Sequence, residues 1–194
     1  MHSIERDTVV EAPIEQVYDQ WTQFEEFPRF MEGVTEVRQL DDRHLHWRAQ
    51  VLGSEREWDA EIDQQLADAR IRWHSTSGKP INGAVFFERW DMDRTKLTLQ
   101  MEYELDGAAE TVADALGFIG RQVEGDLERF KDFIESRPAA TGAWRGEIAD
   151  EWQPDVRAEA EERQREPGPG SAPGGNPAVD TPRGAVRDGI DRTP

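Results

Sequence analysis

An α+β domain, in which one curved antiparallel sheet of seven strands grips a long C-terminal helix, is the fold class that this 194-residue sequence predicts. Three observations predict it. Apolar residues alternate with polar ones in six consecutive segments between residues 34 and 105. The links between those segments are too short for anything but an antiparallel meander. After Gly107 the period changes to that of a helix and holds to about Ser136.

The first element is residues 3–11 (SIERDTVVE), which are β-rich and end at Ala12-Pro13. A proline is tolerated where a helix begins, because its missing N–H would have no intrahelical partner there. A helix over 13–22 follows, with Ile14, Val17, Tyr18 and Trp21 on one face. Pro28 interrupts, and FPRFME (27–32) can make only a brief second helix before Gly33.

The six later strands are 34–40, 44–52, 55–64, 69–76, 83–91 and 95–105. Asp41-Asp42, Gly53, Ala67-Asp68, Gly78-Lys79-Pro80 and Asp91 to Arg94 supply the turns. The last strand is the clearest: Leu97, Leu99, Met101, Tyr103 and Leu105 share one face, and Thr98, Gln100, Glu102 and Glu104 the other. In the C-terminal helix Val112, Leu116, Ile119, Val123, Leu127, Phe130 and Ile134 form one stripe. At 1.5 Å per residue it is roughly 40 Å long, enough to lie along the whole sheet. The order reads β-α-α-β6-α.

The domain is expected to span residues 1–136, with a short helical extension over 137–166. Trp144, Ile148 and Trp152 recur every four residues in TGAWRGEIADEW (141–152), which reads as one stripe of a docked helix. VRAEAEERQRE (156–166) is charged and permits a helix, and the Gly-, Pro-, Asp- and Arg-rich run over 167–194 reads as disordered.

Charge narrows the partners. Formal net charge is −18, and residues 1–136 carry 30 acidic against 15 basic side chains. Such a surface repels phosphate backbones and anionic lipid headgroups alike, so no nucleic acid and no integral membrane association is expected. The absence of cysteine excludes disulfides and thiolate chemistry. The opening MHSIERDTVVEAP lacks the basic start and apolar core of a signal peptide, and no apolar run reaches the ~20 residues of a membrane span. A cytoplasmic protein is the expectation.

The informative feature is where the large aromatic residues fall. Trp47 shares its strand face with Leu45, Ala49 and Val51; Trp58 with Ala60 and Ile62; Trp73 with Ile71 and Ser75; Phe87 with Val85. Each has the apolar parity of its strand, so together they face the helix. A strongly bent sheet over one helix encloses more volume than the helix side chains fill, and an apolar pocket with few polar groups is a typical ligand site. The candidate ligand-binding set is therefore Trp47, Trp58, Trp73, Ser75 and Phe87 from the middle strands and Met101 and Tyr103 from the last. Phe27, Phe30 and Met31 join them from the segment before Gly33, and Ile119 and Val123 from the helix. Gly117, Gly120 and Gly125 inside the helix mean either close approach of the sheet or a bend around a guest.

Catalytic candidates are weak. His44 and His46 have the parity opposite to Trp47, and His74 that opposite to Trp73, which puts all three on the outer face. No metal site and no cofactor is expected. Tyr103, as an orienting hydroxyl or proton donor, and Arg89, as a carboxylate or enolate binder, are the two candidates. No nucleophile–base pair accompanies them.

The segment VVEAPIEQVYDQWTQFEEFPRFMEGVTEV (9–37) resembles the start of the polyketide cyclase/dehydrase proteins of the START-like (SRPBCC) superfamily, which includes coenzyme Q-binding START proteins. REWDAEI (56–62), RIRWHSTSG (70–78), DRTKLTLQMEYE (93–104) and GDLERFKDFIESR (125–137) support it, and TGAWRGEI (141–148) is similar to an extension in a bacterial subgroup. The resemblance implies a helix-grip fold with a deep hydrophobic cavity. It also implies one of several activities: aromatase/cyclase, quinone binding or lipid carriage. In such aromatase/cyclases an arginine and hydroxyl-bearing residues line the pocket, and here Arg89 and Tyr103 match them only loosely.

Three functions compete. The leading one is binding or transport of a hydrophobic small molecule, lipid, quinone or polyketide-like, without catalysis. The second is an aromatase/cyclase acting through Tyr103 and Arg89. The third is a scaffold working through its C-terminal extension, whose Trp144/Ile148/Trp152 stripe docks on a protein partner or, as a lid, on the domain's own cavity mouth near Phe27, Phe30 and Met31.

Overall fold

In the computed structural model of the chain, residues 1–105 and 109–149 are described. Seven strands form one antiparallel sheet: β1 (His2–Val10), β2 (Val34–Gln39), β3 (His44–Val51), β4 (Ser54–Leu66), β5 (Arg70–Ser75), β6 (Ile81–Arg89) and β7 (Thr95–Tyr103). Their spatial order is β1-β7-β6-β5-β4-β3-β2. The last six make a meander, and β1 closes it by pairing with β7 from His2↔Tyr103 to Val10↔Thr95. Helix α1 (Ile14–Trp21) and a 3₁₀ helix (Phe24–Arg29) join β1 to β2 at the far edge, and α2 (Ala109–Glu135) lies across the concave face.

Each element follows from its residues. Pro13 stands at the N-cap of α1, just ahead of the first helical N–H, and Ile14, Val17, Tyr18 and Trp21 are buried along one face. The second helix begins earlier than its sequence suggests and holds Pro28 inside it. It is a 3₁₀ helix, whose i→i+3 bonds run from Glu26 N–H to Gln23 and from Phe30 N–H to Phe27 and need no N–H from the proline. In α2 the stripe Val112, Ile119, Val123, Leu127, Phe130 and Ile134 is buried, as its spacing requires. Of the interior glycines, Gly120 is a close approach. A Cβ there would meet the Arg6 guanidinium of β1 at 2.5 Å, whereas one at Gly117 would meet nothing nearer than 3.7 Å.

The sheet bends where β4 carries a bulge between Ile62 and Gln64. Before it, Trp58, Ala60 and Ile62 face inward; beyond it Gln64 and Gln65 are both buried, and it is Gln65 that lies opposite the inward Ile71. Gln65 Nε2 then donates to the Tyr18 hydroxyl at 3.1 Å. That inward glutamine is invisible to a period-two count, because the count assumes an unbroken strand.

Residues 141–149 do not form the helix read from the spacing of Trp144, Ile148 and Trp152. They run extended across the domain. Their backbone groups go to the domain instead of to each other. Thr141 N–H donates to Gln20 Oε1 (3.0 Å), Trp144 N–H donates to Thr22 Oγ1 (3.1 Å), and Ile148 exchanges two bonds with Gln65 (2.7 and 2.9 Å). This strap takes over beside β4 where β3 has ended. Arg145 anchors it, with both Nη groups 3.0 Å from the Asp68 carboxylate and Nε 2.8 Å from Asp19. Trp152, the charged 156–166 run and the tail over 167–194 lie outside the described residues.

Candidate functional site

Between the concave sheet face and α2 is a cavity. Its free space, mouth included, is about 790 Å³, yet the centre of a water-sized sphere has only about 100 Å³ to move in. It is a narrow slot. Trp47, Trp58 and Trp73 line it from β3, β4 and β5, and Met101 and Tyr103 from β7. Phe27 and Met31 enter from the 3₁₀ segment, and Ile119 and Val123 from α2. These nine of the sequence candidates meet around one space.

The walls are set by register. Trp47 lies directly opposite Trp58 in the β3–β4 ladder, and their rings are parallel, 5.8 Å apart and 6° from coplanar orientation. Phe27 meets Trp47 edge-on at 5.7 Å. Trp73 is placed by a missing side chain: a Cβ on Gly83, its partner in β6, would lie 2.4 Å from the indole and 2.8 Å from Met101 Sδ.

Four sequence candidates fall elsewhere. Phe30 is buried between Phe130 and Phe133, and Phe87 between Tyr18 and Trp21; both are core, behind the cavity wall. Ser75 has the inward parity but ends its strand, where its Oγ accepts the Ile81 N–H at 3.1 Å. Arg89 shares the parity of Phe87 yet sits at the sheet's rim, exposed and paired with Glu15 at 3.0 Å. Parity places a residue on a face without saying how far along that face the cavity extends. His44, His46 and His74 are on the outer face, beside Asp41, Asp59 and Asp63 respectively. Among the described residues no group of three or more His, Cys, Asp or Glu is set to hold a metal ion.

The polar side chains that line the cavity are Tyr103, Asp126, Gln122, Glu32 and Gln50. Tyr103 is buried, and its hydroxyl has no hydrogen-bond partner among the described residues. Burial, and next the negative charge of Asp126, push its phenol well above the usual range. Burial likewise pushes the Asp126 carboxyl up to about 6, against the opposing pull of the Glu32 N–H and of Arg129. Sequence reasoning passed over Asp126. The spacing was there to find it, three residues after Val123 and seven after Ile119, which returns a helical residue to the same face.

At the mouth, one polar stripe of α2 holds residues 30–33. Gln122 Nε2 donates to Glu32 O (2.5 Å), Asp126 Oδ1 accepts the Glu32 N–H (2.7 Å), and Arg129 Nε donates to Phe30 O (2.9 Å). Arg129 also bonds Asp126. Gly33 makes the turn out of this segment at φ +92°, and a Cβ there would meet Gln122 Nε2 at 2.6 Å. The Trp144 strap docks on α1, the 3₁₀ helix and Asp42, away from this mouth, so its described part is no lid.

This geometry has known relatives. The chain is 46% identical, over 76% of its length and 99% of the relative's, to an uncharacterized 17.2 kDa protein of Streptomyces lincolnensis. Solved structures share the fold at lower identity. A START superfamily protein from Mycobacterium smegmatis matches with a TM-score of 0.61 at 14% identity, covering 70% of this chain and 99% of that one. The Zhui aromatase/cyclase of Streptomyces sp. R1128 matches with a TM-score of 0.60 at 17% identity, covering 74% and 99%. The family model described as polyketide cyclase/dehydrase and lipid transport matches residues 10–132, from the end of β1 almost to the end of α2, which takes in both walls of the cavity. By that match, this chain belongs to the polyketide cyclase/dehydrase and lipid transport family and has its START-like helix-grip fold.

Proposed function

We propose that the chain binds or carries a hydrophobic small molecule, lipid, quinone or polyketide-like, in the slot between sheet and α2. The observation that carries this is the unfilled space itself. A core of this size is ordinarily packed to crystal density, and here six aromatic rings, from Trp21, Phe27, Trp47, Trp58, Trp73 and Tyr103, surround free volume. Apolar surface kept open inside a fold forgoes the contacts that packing would supply, and a guest restores them. Native mass spectrometry of the protein purified gently from its own source tests it. A co-purifying apolar molecule is expected. A consistently empty protein that also takes up no fatty acid, quinone or polyketide ends the reading.

A second reading, an aromatase/cyclase, is favoured by one observation: a carboxyl with a pKa of about 6 lines the same cavity as the Tyr103 phenol. A group that exchanges its proton near neutrality can serve as general acid or base. In this reading Asp126 and Tyr103 carry the acid–base chemistry, and Arg89, paired with Glu15 at the rim, takes no part. Cyclisation of a poly-β-keto substrate at the same rate with and without the protein would refute it.

A further inference from the structure

We infer that guest and proton bind to this chain together, with the Asp126 carboxyl as the coupling group, so that the slot loads in mild acid and releases its guest as pH rises. The inference rests on the binding reading above and adds to it a control of loading and release.

It starts from where a charge can stand in the wall. Asp126 lines the slot and is 8% exposed. Its Oδ1 is engaged, accepting the Glu32 N–H at 2.7 Å and bonding Arg129. Its Oδ2 accepts no hydrogen bond among the described residues, yet it is not shut away from solvent. Ionised, this carboxyl therefore depends on water for the solvation of Oδ2. An apolar guest in the slot displaces water from its walls. A carboxylate that loses water without gaining a partner is costly, and such a group takes up a proton instead.

The groups around Asp126 leave it poised for this. Burial puts the carboxyl at about 6 before any guest arrives, against the opposing pull of the Glu32 N–H and of Arg129 on α2. The Glu32 carboxylate adds a smaller push in the same direction as burial. On β7, Tyr103 is buried and held protonated, and Gln122 and Gln50 carry no charge. No histidine lines the slot among the described residues. Glu32, the other carboxylate of the lining, has a side chain 77% exposed and keeps its water when the slot fills. Asp126 is thus the group whose ionisation a guest alters. A guest that favours the protonated carboxyl binds best in acid, and it loses that advantage as pH rises through the pKa.

N-phenylnaphthylamine and menadione test this, because both stay uncharged between about pH 5 and 8. Their affinities for the full chain are measured across that range, by probe fluorescence for the first and by tryptophan quenching for the second. Both are expected to bind about tenfold more weakly at the alkaline end than at the acid end. Calorimetry near the middle of the range, in phosphate and in Bis-Tris, should show uptake of about half a proton per guest, because the two buffers differ in ionisation enthalpy. Asp126→Asn keeps an acceptor for the Glu32 N–H and should bind with one affinity throughout, taking up no proton. Arg129→Met removes the cation that favours the carboxylate and should carry the midpoint of the profile to higher pH. Affinity that is flat or rises with pH, or a falling profile that neither variant alters, overturns the inference and leaves the binding reading standing. Failure of both probes to bind at any pH overturns both.

Discussion

The backbone N–H of Glu32 ends on Asp126 Oδ1, 2.7 Å away, across the mouth of the cavity. That bond joins the loop leaving the 3₁₀ helix to the helix that the sheet grips. It does so with a carboxyl that burial has made a weak acid. Both the stability of the domain and access to its interior should therefore respond to the proton on Asp126.

The sign follows from linkage. The Asp126 pKa is raised from 3.8 to about 6 on folding, so the folded chain holds this proton more tightly than the unfolded one. Its contribution is greatest below about pH 4, falls as pH rises through about 6, and is constant above. Two units correspond to at most about 3 kcal/mol. Carboxylates with lowered pKa, such as Asp59 and Glu26, act in the opposite sense. The quantity to measure is therefore the difference between the native chain and Asp126→Asn. Urea unfolding from pH 4 to 7 should show Asp126→Asn gaining on the native chain as pH rises, and parallel profiles would refute the assignment.

Access should change where the latch is weakened. Gln122→Ala and Arg129→Ala each remove a side chain that bonds the backbone of residues 30–33. Losing about 1 kcal/mol per bond corresponds to roughly a fivefold rise in local opening. Hydrogen exchange at Met31 to Val34 should speed up by that factor, with exchange in β6 and β7 unchanged. Bound guest should leave faster in step. Equal acceleration throughout the sheet would mean global destabilisation and no latch.

Much of this architecture was legible from periodicity, because α2 and β7 carry unbroken apolar stripes and each stripe has a single partner surface. What was not legible depends on breaks in period or on distance along a face. The β4 bulge hides Gln65, and the strand ends remove Ser75 and Arg89 from a site whose parity they share. Asp126 was overlooked for the opposite reason: a charged residue on an apolar stripe looks like its boundary until the structure shows a cavity beneath it. The backbone course of the strap could not be read, since its tryptophan spacing is helical while its hydrogen bonds go to Gln20, Thr22 and Gln65.

That strap should contribute measurably to stability. Ile148 is 5% exposed and bridges Gln65, whose side chain in turn holds Tyr18. Ile148→Ala should cost about 2 kcal/mol, at the low end for a buried isoleucine because the site lies at the sheet's edge. Arg145→Ala should cost about as much, by stranding Asp19, whose carboxyl burial already pushes upward, and by removing the two bonds that the guanidinium makes to Asp68. Thermal unfolding of both variants and of a chain ending at Pro138 measures this. A truncated chain as stable as the full one would mean that the strap rests on the domain without supporting it.

Gly83 offers the sharpest separation of site from fold. Its backbone lies in the middle of β6, paired with Met101 on one side and Trp73 on the other, so alanine is conformationally acceptable there. Its added methyl, however, would meet the Trp73 indole at 2.4 Å and Met101 Sδ at 2.8 Å, both of them cavity walls. The ring borders the free space of the slot, so displacing it changes the shape of that space. Gly83→Ala should therefore reshape the cavity while costing about 1–3 kcal/mol in overpacking, and affinity for a hydrophobic guest should fall on the order of tenfold. Arg89→Ala, at the exposed rim, should leave affinity unchanged. If both variants bind as the native chain does, Trp73 is a core residue and not a wall of the binding site.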